Sequence, residues 1–205
     1  MDFLKKFTKR DLGFAVLTGL ITGTIAWPVF NFLNVPEFQS ISWSALIIAV
    51  PIFWILGVLL GYFLGQWFQF FDQFGKFAAI GFTNAAVDFG VLDFLIAASG
   101  ITSGSGYVGF KTISFIVALA CSYMWNKYWT FSATQSQNVI IEFLKFVSVA
   151  VVSILINVGV ASLIVNYIHP ILGLNAEQWA NLGAVVGAGI ALVFSFIGFR
   201  IAVFK

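Results

Sequence analysis

The chain has 205 residues, of which 60% are hydrophobic and 9% charged, whereas about a quarter of the residues in soluble domains are charged. This composition predicts an integral membrane protein, and a net charge of +2 without a basic cluster argues against nucleic acid as a partner. The single cysteine, Cys121, excludes an intrachain disulfide, and together with the lone His169 it excludes a cysteine and histidine metal cluster, so we expect no cofactor.

Six apolar runs are each long enough to cross a hydrocarbon layer of about 30 Å, which takes about 20 helical residues. They predict an all-α membrane protein with six transmembrane helices near residues 12–34, 44–67, 75–99, 108–128, 143–168 and 178–203. The connecting loops are short and rich in polar and turn residues. None could hold a nucleotide-sugar site, and no nucleophile stands in a catalytic pattern, so we expect that the protein is not an enzyme.

The distribution of basic residues predicts that the N- and C-termini are both cytoplasmic. Lysines and arginines precede the first helix and lie near the second loop, the fourth loop and the C-terminus, whereas the opposite loops contain none. This asymmetry follows the positive-inside rule. The residues concerned are Lys5, Lys6, Lys9, Arg10, Lys76, Lys127, Lys145, Arg200 and Lys205.

The first two helices carry glycines at four-residue spacing, which lets helix backbones approach closely. These glycines are Gly19, Gly23, Gly57, Gly61 and Gly65. We expect residues 1–70 to form an accessory hairpin that packs on itself or on a main domain of residues 71–205. The same glycines could serve as an interface between copies, so we also expect a homodimer.

The remaining four helices contain an internal repeat. The segment FGKFAAIGFTNAAVDFG is similar to FLKFVSVAVVSILINVG, and VALACSYMWNKYWTF is similar to IALVFSFIGFRIAVF. Helices three to six are therefore predicted to be two copies of one helical hairpin. Because each copy crosses the membrane twice, the repeat is parallel, about an axis along the membrane normal.

The repeat aligns four basic residues at one predicted depth near the cytoplasmic surface: Lys76, Lys127, Lys145 and Arg200. A basic residue at the end of a membrane helix normally only orients that helix. A ring of four would in addition attract a phosphate head group, at about 1 kcal/mol per charge. These four and the neighbouring Asn126 are therefore the candidate lipid-phosphate ligands.

Asp88 lies in the middle of the third helix, where an unpaired carboxylate costs about 2.5 to 3.5 kcal/mol. Asn84 is one turn away, and the repeat places Ser153 and Asn157 at the matching positions. We expect these four residues to form a polar transmembrane seam near the bundle axis. Alternatively, Asp88 is protonated or hydrogen-bonded and only holds helices together.

Asp93 and Lys111 are a second pair of charges inside the predicted helices. A rise of about 1.5 Å per residue from the cytoplasmic ends puts them at roughly 26 and 24 Å. Their similar depth predicts an ion pair on the outer side of the membrane. This pair would be structural, or Lys111 would receive a phosphate on that side.

KFAAIGFTNAAVDFGVLDFL followed by SYMWNKYWTF, with a second copy ending in FSFIGFRIAVF, resembles the GtrA-like family of small four-helix membrane proteins. The resemblance covers about Phe74 to Lys205, and NKYWTF is its most specific part. It implies functional roles for Asn84, Asp88, Asn126 and Lys127. Two features depart from the family pattern. Two extra helices precede the domain, and the usual arginine after the asparagine is a lysine here, which lacks the bidentate fork.

The resemblance implies a translocase of polyprenyl-phosphate-linked sugars for cell-surface polysaccharide glycosylation, in a prokaryotic cytoplasmic membrane. Similar domains are fused to dolichol-phosphate mannose synthases, so an alternative is a non-transporting anchor that presents lipid to a membrane glycosyltransferase. A small proton-coupled cation exchanger that uses Asp88 is a third possibility. The only Gly-Lys pair, at Lys76, lacks the rest of a P-loop, so transport would be passive or ion-coupled through Asp88.

Overall fold

The computed structural model describes residues 3–37, 41–135, 138–171, 173 and 175–204. Of the basic residues used above to orient the chain, Lys205 lies outside the described residues. The described chain is mainly helical, and six of its helices are long and apolar enough to cross a membrane. The predicted all-α fold with six transmembrane helices is thus confirmed.

The helices follow the predicted order closely. The short helix α1 (Phe3–Lys6) is followed by α2 (Lys9–Phe32), α3 (Leu46–Leu64), α4 (Phe71–Ser99), α5 (Gly104–Trp125), α6 (Val139–Tyr167) and α7 (Ala176–Gly198). A 3₁₀ turn over Trp43–Ala45 leads into α3. An even number of crossings would return the chain to the side on which it started, and the cytoplasmic location of both termini stays a prediction.

Local signals define where several helices begin and end. The Thr8 hydroxyl accepts a hydrogen bond from the backbone N–H of Asp11, and the Asp11 carboxylate accepts one from the backbone N–H of Thr8, so a capping box starts α2. Asn175 and Gln178 form the equivalent box at the start of α7. Helix α4 ends at Ser99 and is capped by Gly100, whose φ of 71° is in the left-handed region that glycine adopts without strain.

The chain forms two compact units, Met1–Ser132 and Ala133–Lys205. In the first unit α2 and α3 pack as a hairpin, and both also pack against α4, which in turn packs against α5. One buried cluster contains Ala15 of α2, Val58 of α3 and Ile80 of α4. The predicted N-terminal hairpin therefore shares a core with the helices that follow it, and its accessory role stays a prediction.

The closely spaced glycines bring helices together inside the first unit. A Cβ atom on Gly19 of α2 would lie only 2.5 Å from the Cα atom of Pro51 in α3. A Cβ atom on Gly75 of α4 would lie 2.8 Å from the carbonyl oxygen of Gly57 in α3. Because these contacts are within one chain, these glycines do not support the homodimer, which stays a prediction.

The second unit is the hairpin of α6 and α7. Its aromatic contacts include Phe146 stacked on Phe199, with ring centroids 4.2 Å apart. Helix α7 continues into a π-helical segment over Phe199–Val203, and α5 of the first unit likewise continues into one over Asn126–Thr130. The predicted repeat aligns these two segments. The parallel repeat stays a prediction, but π-helical turns are rare and their matching positions are in its favour.

Candidate functional site

An ion pair joins two of the membrane-spanning helices, α4 and α5. Lys111 Nζ is 2.5 Å from Asp88 Oδ2, and the Ser114 hydroxyl donates a hydrogen bond of 2.6 Å to Asp88 Oδ1. Lys111 and Ser114 are one turn apart on α5, so they reach the same carboxylate. Asp88 is roughly 17 Å from the C-terminal end of α4 by helix rise, which places the pair near the middle of the span.

The pair gives each of its two charges a partner. A lone charged side chain at the centre of a membrane helix costs about 2.5 to 3.5 kcal/mol, and the pairing offsets part of that cost. The carboxylate is the more enclosed partner, since 19% of the Asp88 side chain is exposed and 40% of the Lys111 side chain. The Lys111 ammonium also lies 5.6 Å from the ring centroid of Phe89. The Lys111 ammonium is thus fixed by its contacts but remains partly exposed.

The predicted pair of Asp93 with Lys111 is wrong, because Lys111 binds Asp88. The prediction compared depth alone. Asp88 and Asp93 are five positions apart and therefore about 140° apart around α4, so they face different neighbours. Asp93 lines a groove with Thr24 and Pro28 of α2, and its Oδ2 is buried without a hydrogen-bond partner among the described residues.

Of the predicted polar seam, Asp88 has its partners on α5, whereas no contact that joins the other three members to it is seen among the described residues. Asn84 lies one turn from Asp88, and its Oδ1 is buried without a hydrogen-bond partner in the part of the chain that the structure describes. In the second unit, the Ser153 hydroxyl donates to a carbonyl of its own helix at 2.8 Å. A Cβ atom on Gly187 of α7 would lie 2.8 Å from Asn157 Oδ1. A seam that joins all four residues stays a prediction.

Lys76, one of the candidate phosphate ligands, binds a carboxylate that the sequence pattern did not single out. Lys76 Nζ is 2.6 Å from Asp11 Oδ1. Asp11 also accepts hydrogen bonds from the Tyr62 hydroxyl at 2.9 Å and from Trp129 Nε1 at 3.1 Å. Only 3% of Asp11 is exposed. This one carboxylate therefore links α2, α3, α4 and the π-helical segment that contains Trp129.

A local signal for Asp11 is present in the sequence. Thr8 and Asp11 form a Thr-x-x-Asp pattern before an apolar run, which is typical of a capping box. That pattern predicts the start of α2 but not the partners of Asp11, because Tyr62, Lys76 and Trp129 are far away along the chain. Ser114 was missed too, and its only signal is the three-residue spacing from Lys111.

Asn126 and Lys127 of the NKYWTF element are both enclosed. Their exposed fractions are 1% and 3%. Asn126 Nδ2 donates to the carbonyl of Ser122 at 2.9 Å, which leaves Oδ1 buried without a hydrogen-bond partner in the described chain. Lys127 Nζ is 3.1 Å from the Tyr123 hydroxyl and 5.4 Å from the centroid of that ring. These two side chains help to form the end of α5 rather than an open surface.

The remaining candidate phosphate ligands are in the second unit, where Lys145 and Arg200 are exposed. In the first unit, Lys76 has a carboxylate partner and Lys127 is buried. The ring of four cations stays a prediction. Its members nevertheless have unlike surroundings, which the alignment of the two copies did not reveal.

One known protein family matches most of the chain. The family model described as "GtrA/DPMS, transmembrane domain" matches residues 76–204. No curated protein and no solved structure matches the chain. The matched residues begin at Lys76 and include the Asp88–Lys111 pair and both π-helical segments, whereas α2 and α3, with Asp11, precede them.

Proposed function

The chain belongs to the GtrA/DPMS transmembrane-domain family, and from this premise we propose that it translocates polyprenyl-phosphate-linked sugars across the membrane. The resemblance noted in the sequence is confirmed by the match to residues 76–204. Membership supports a multi-pass membrane protein related to polyprenyl-phosphate sugars. Movement of the lipid, for cell-surface glycosylation, is the proposed step.

The ion pair of Lys111 with Asp88 is the observation that carries this proposal. A polyprenyl-phosphate sugar must bring an anionic phosphate past the hydrocarbon core, where a lone charge is costly. The partly exposed Lys111 ammonium can exchange the carboxylate of Asp88 for that phosphate. Asp88 keeps the hydrogen bond from Ser114 during the exchange, so neither anion is left without a partner.

The neighbouring polar groups suit a sugar. The Asn84 Oδ1 atom is an acceptor without a partner among the described residues, and it lies one turn from Asp88. A sugar hydroxyl is a donor that would satisfy it. The head group would then be recognised at two points, with the phosphate on Lys111 and a hydroxyl on Asn84.

Reconstitution in liposomes tests the proposal. The purified protein is incorporated with a fluorescent polyprenyl-phosphate sugar, and dithionite, which does not cross the membrane, reports the fraction of lipid in the outer leaflet. We expect the wild type to make the inner pool accessible and Lys111→Gln to slow this by about tenfold or more, which corresponds to about 1.4 kcal/mol. Lys111→Gln that moves lipid at the wild-type rate would contradict the proposal.

Ser114→Ala and Thr112→Ala form a matched pair for the same assay. Both remove one hydroxyl from α5, but the Ser114 hydroxyl binds Asp88, whereas the exposed Thr112 hydroxyl binds a carbonyl of its own helix. We expect Ser114→Ala to slow transport and Thr112→Ala to leave it unchanged. Equal effects of the two changes would point to a general loss of helix stability.

A lipid-presenting anchor is the second candidate function. Two of the candidate phosphate ligands favour it, because Lys76 already has a carboxylate partner and Lys127 is buried. In that case the liposome assay shows no movement of lipid, and a glycosyltransferase copurifies with the protein. The cation exchanger is less favoured, because an incoming cation would compete with the tethered Lys111 ammonium for Asp88.

A further inference from the structure

A groove lies between α2 and α5, beside the π-helical segment Asn126–Thr130. Its volume of about 470 Å³ is within the range of about 300 to 1,000 Å³ that is usual for small-molecule sites. The side chains that line it are mainly apolar. They belong to Phe14, Ala120, Cys121, Met124, Trp125 and Tyr128. A groove of this composition within a membrane span suits a hydrocarbon chain.

Arg10 lies beside this groove. Its guanidinium carbon is 5.6 Å from the ring centroid of Phe14, and its Nη2 donates a hydrogen bond to the carbonyl of Tyr128. Both partners line the groove. Arg10 is exposed, and among the described residues no carboxylate is within ion-pair distance of it. One contact to Tyr128 leaves a guanidinium, with its five N–H donors, most of its capacity for a ligand.

The position of Arg10 is supported by aromatic packing. The Phe14 ring is stacked on Trp129, with centroids 5.6 Å apart and an angle of 13° between the planes. The same ring meets Trp125 edge to face at 6.1 Å. These contacts hold the start of α2 against the end of α5. A cation and an apolar groove are therefore kept side by side on well-packed helices.

We propose that this groove binds a polyprenyl phosphate, with the hydrocarbon chain along the groove and the phosphate on Arg10. A guanidinium matches two phosphate oxygens at once, which gives geometric as well as electrostatic complementarity. The identity of the lipid rests on the proposed function. Polyprenyl phosphate is chosen over bulk phospholipid because five of the six lining residues belong to the segment that matches the family.

The only cysteine of the chain reports directly on occupancy of the groove, since Cys121 is one of its lining residues. The full-length protein is reconstituted in phosphatidylcholine vesicles, and the rate of Cys121 alkylation by N-ethylmaleimide is measured. Undecaprenyl phosphate is added in increasing amounts, and phosphatidylglycerol is added at equal mole fractions in a second series. We expect undecaprenyl phosphate to slow the alkylation saturably and phosphatidylglycerol to leave it unchanged.

Three variants test the role of Arg10. Arg10→Gln should raise the amount of undecaprenyl phosphate needed for half-protection by about fivefold, as expected for the loss of one basic residue at a membrane surface. Lys9→Gln removes the same charge from the neighbouring exposed position and should leave protection unchanged. Arg10→Lys keeps the charge without the fork and should give a value between the other two. Unchanged alkylation without lipid shows that each variant is folded.

The assay separates failure of this site from failure of the proposed function. Equal protection by phosphatidylglycerol, or protection that is insensitive to Arg10→Gln, would overturn the proposed site. Lipid movement in liposomes without any protection of Cys121 would overturn the site and leave the proposed function intact. Arg10-dependent protection in a protein that moves no lipid would support the site and overturn the translocase.

Discussion

Asp11 is a buried carboxylate whose partners come from several helices. It accepts hydrogen bonds from Thr8, Tyr62 and Trp129 and forms an ion pair with Lys76. Buried ion pairs add little net stability compared with apolar residues, but removing only one partner is costly. Losing one of the two residues should therefore cost the protein more stability than losing both.

Replacement of Asp11 alone should destabilise the protein strongly. Asp11→Asn leaves the largely enclosed Lys76 ammonium without its counter-ion, and we expect a loss of about 3 to 5 kcal/mol in the free energy of unfolding. The double variant Asp11→Asn/Lys76→Gln should recover much of it. Denaturation in detergent micelles measures both.

The exposed pair of Lys6 with Asp72, at 2.7 Å, is the control for this prediction. Lys6→Gln should cost no more than about 1 kcal/mol, as is usual for surface ion pairs. Equal destabilisation by Asp11→Asn and Lys6→Gln would contradict the prediction that the fold depends strongly on Asp11.

The pairing of Lys111 can be measured with a double-mutant cycle. Lys111→Gln and Asp88→Asn should show a coupling energy of about 0.5 to 3 kcal/mol in unfolding experiments, because the two side chains are in direct contact. Lys111→Gln and Asp93→Asn should instead be additive within about 0.5 kcal/mol. Stronger coupling to Asp93 than to Asp88 would reinstate the pair inferred from depth.

At the scale of helices, hydropathy is sufficient to predict the number and order of the membrane-spanning helices. Each span is a long apolar run between polar loops, and the lipid solvent leaves a helix as the simplest way to satisfy the backbone of such a run. Contacts between side chains of different helices are harder to predict. Depth in the membrane is only one of the two coordinates that place a side chain, and the other is its angle around the helix axis. Depth alone predicts a pair of Lys111 with Asp93, whereas the angle around the axis of α4 places Asp88 next to Lys111.

The close contact of α2 with α3 should be intolerant of one added methyl group. In Gly19→Ala the new Cβ would lie 2.5 Å from the Pro51 backbone, so the helices must separate. We expect a loss of about 1 to 3 kcal/mol in the free energy of unfolding, the usual cost of overpacking.

Gly13→Ala is the matched control in the same helix. A Cβ atom on Gly13 has no neighbour within 4 Å, so alanine should be neutral or should stabilise α2 by up to about 1 kcal/mol. Thermal unfolding of the two variants side by side measures the difference. Similar unfolding temperatures would mean that α2 and α3 are not in close contact at Gly19.

At the scale of the whole molecule, the N-terminal hairpin is built into the first compact unit although it precedes the family match. It supplies Asp11 and Tyr62 to the group around Lys76. It also supplies Phe14, which contacts Trp125 of α5 and Trp129 of the π-helical segment. The sequence could predict that two helices were added, but not that they complete the surroundings of Lys76. Those contacts join residues that share no local pattern.

The hairpin should therefore be needed for the fold of the matched domain. A fragment of residues 71–205 lacks Asp11 and exposes the face of α4 that packs on α2 and α3, so we expect it to aggregate or to unfold at a much lower temperature than the full chain. Fluorescence-detected size exclusion after heating measures this.

Coexpression of residues 1–70 with residues 71–205 is the control, since it breaks the chain but keeps every helix. The two pieces should copurify with most of the stability restored. A fragment of residues 71–205 that is monodisperse and as stable as the full chain would show that the hairpin is an accessory module after all.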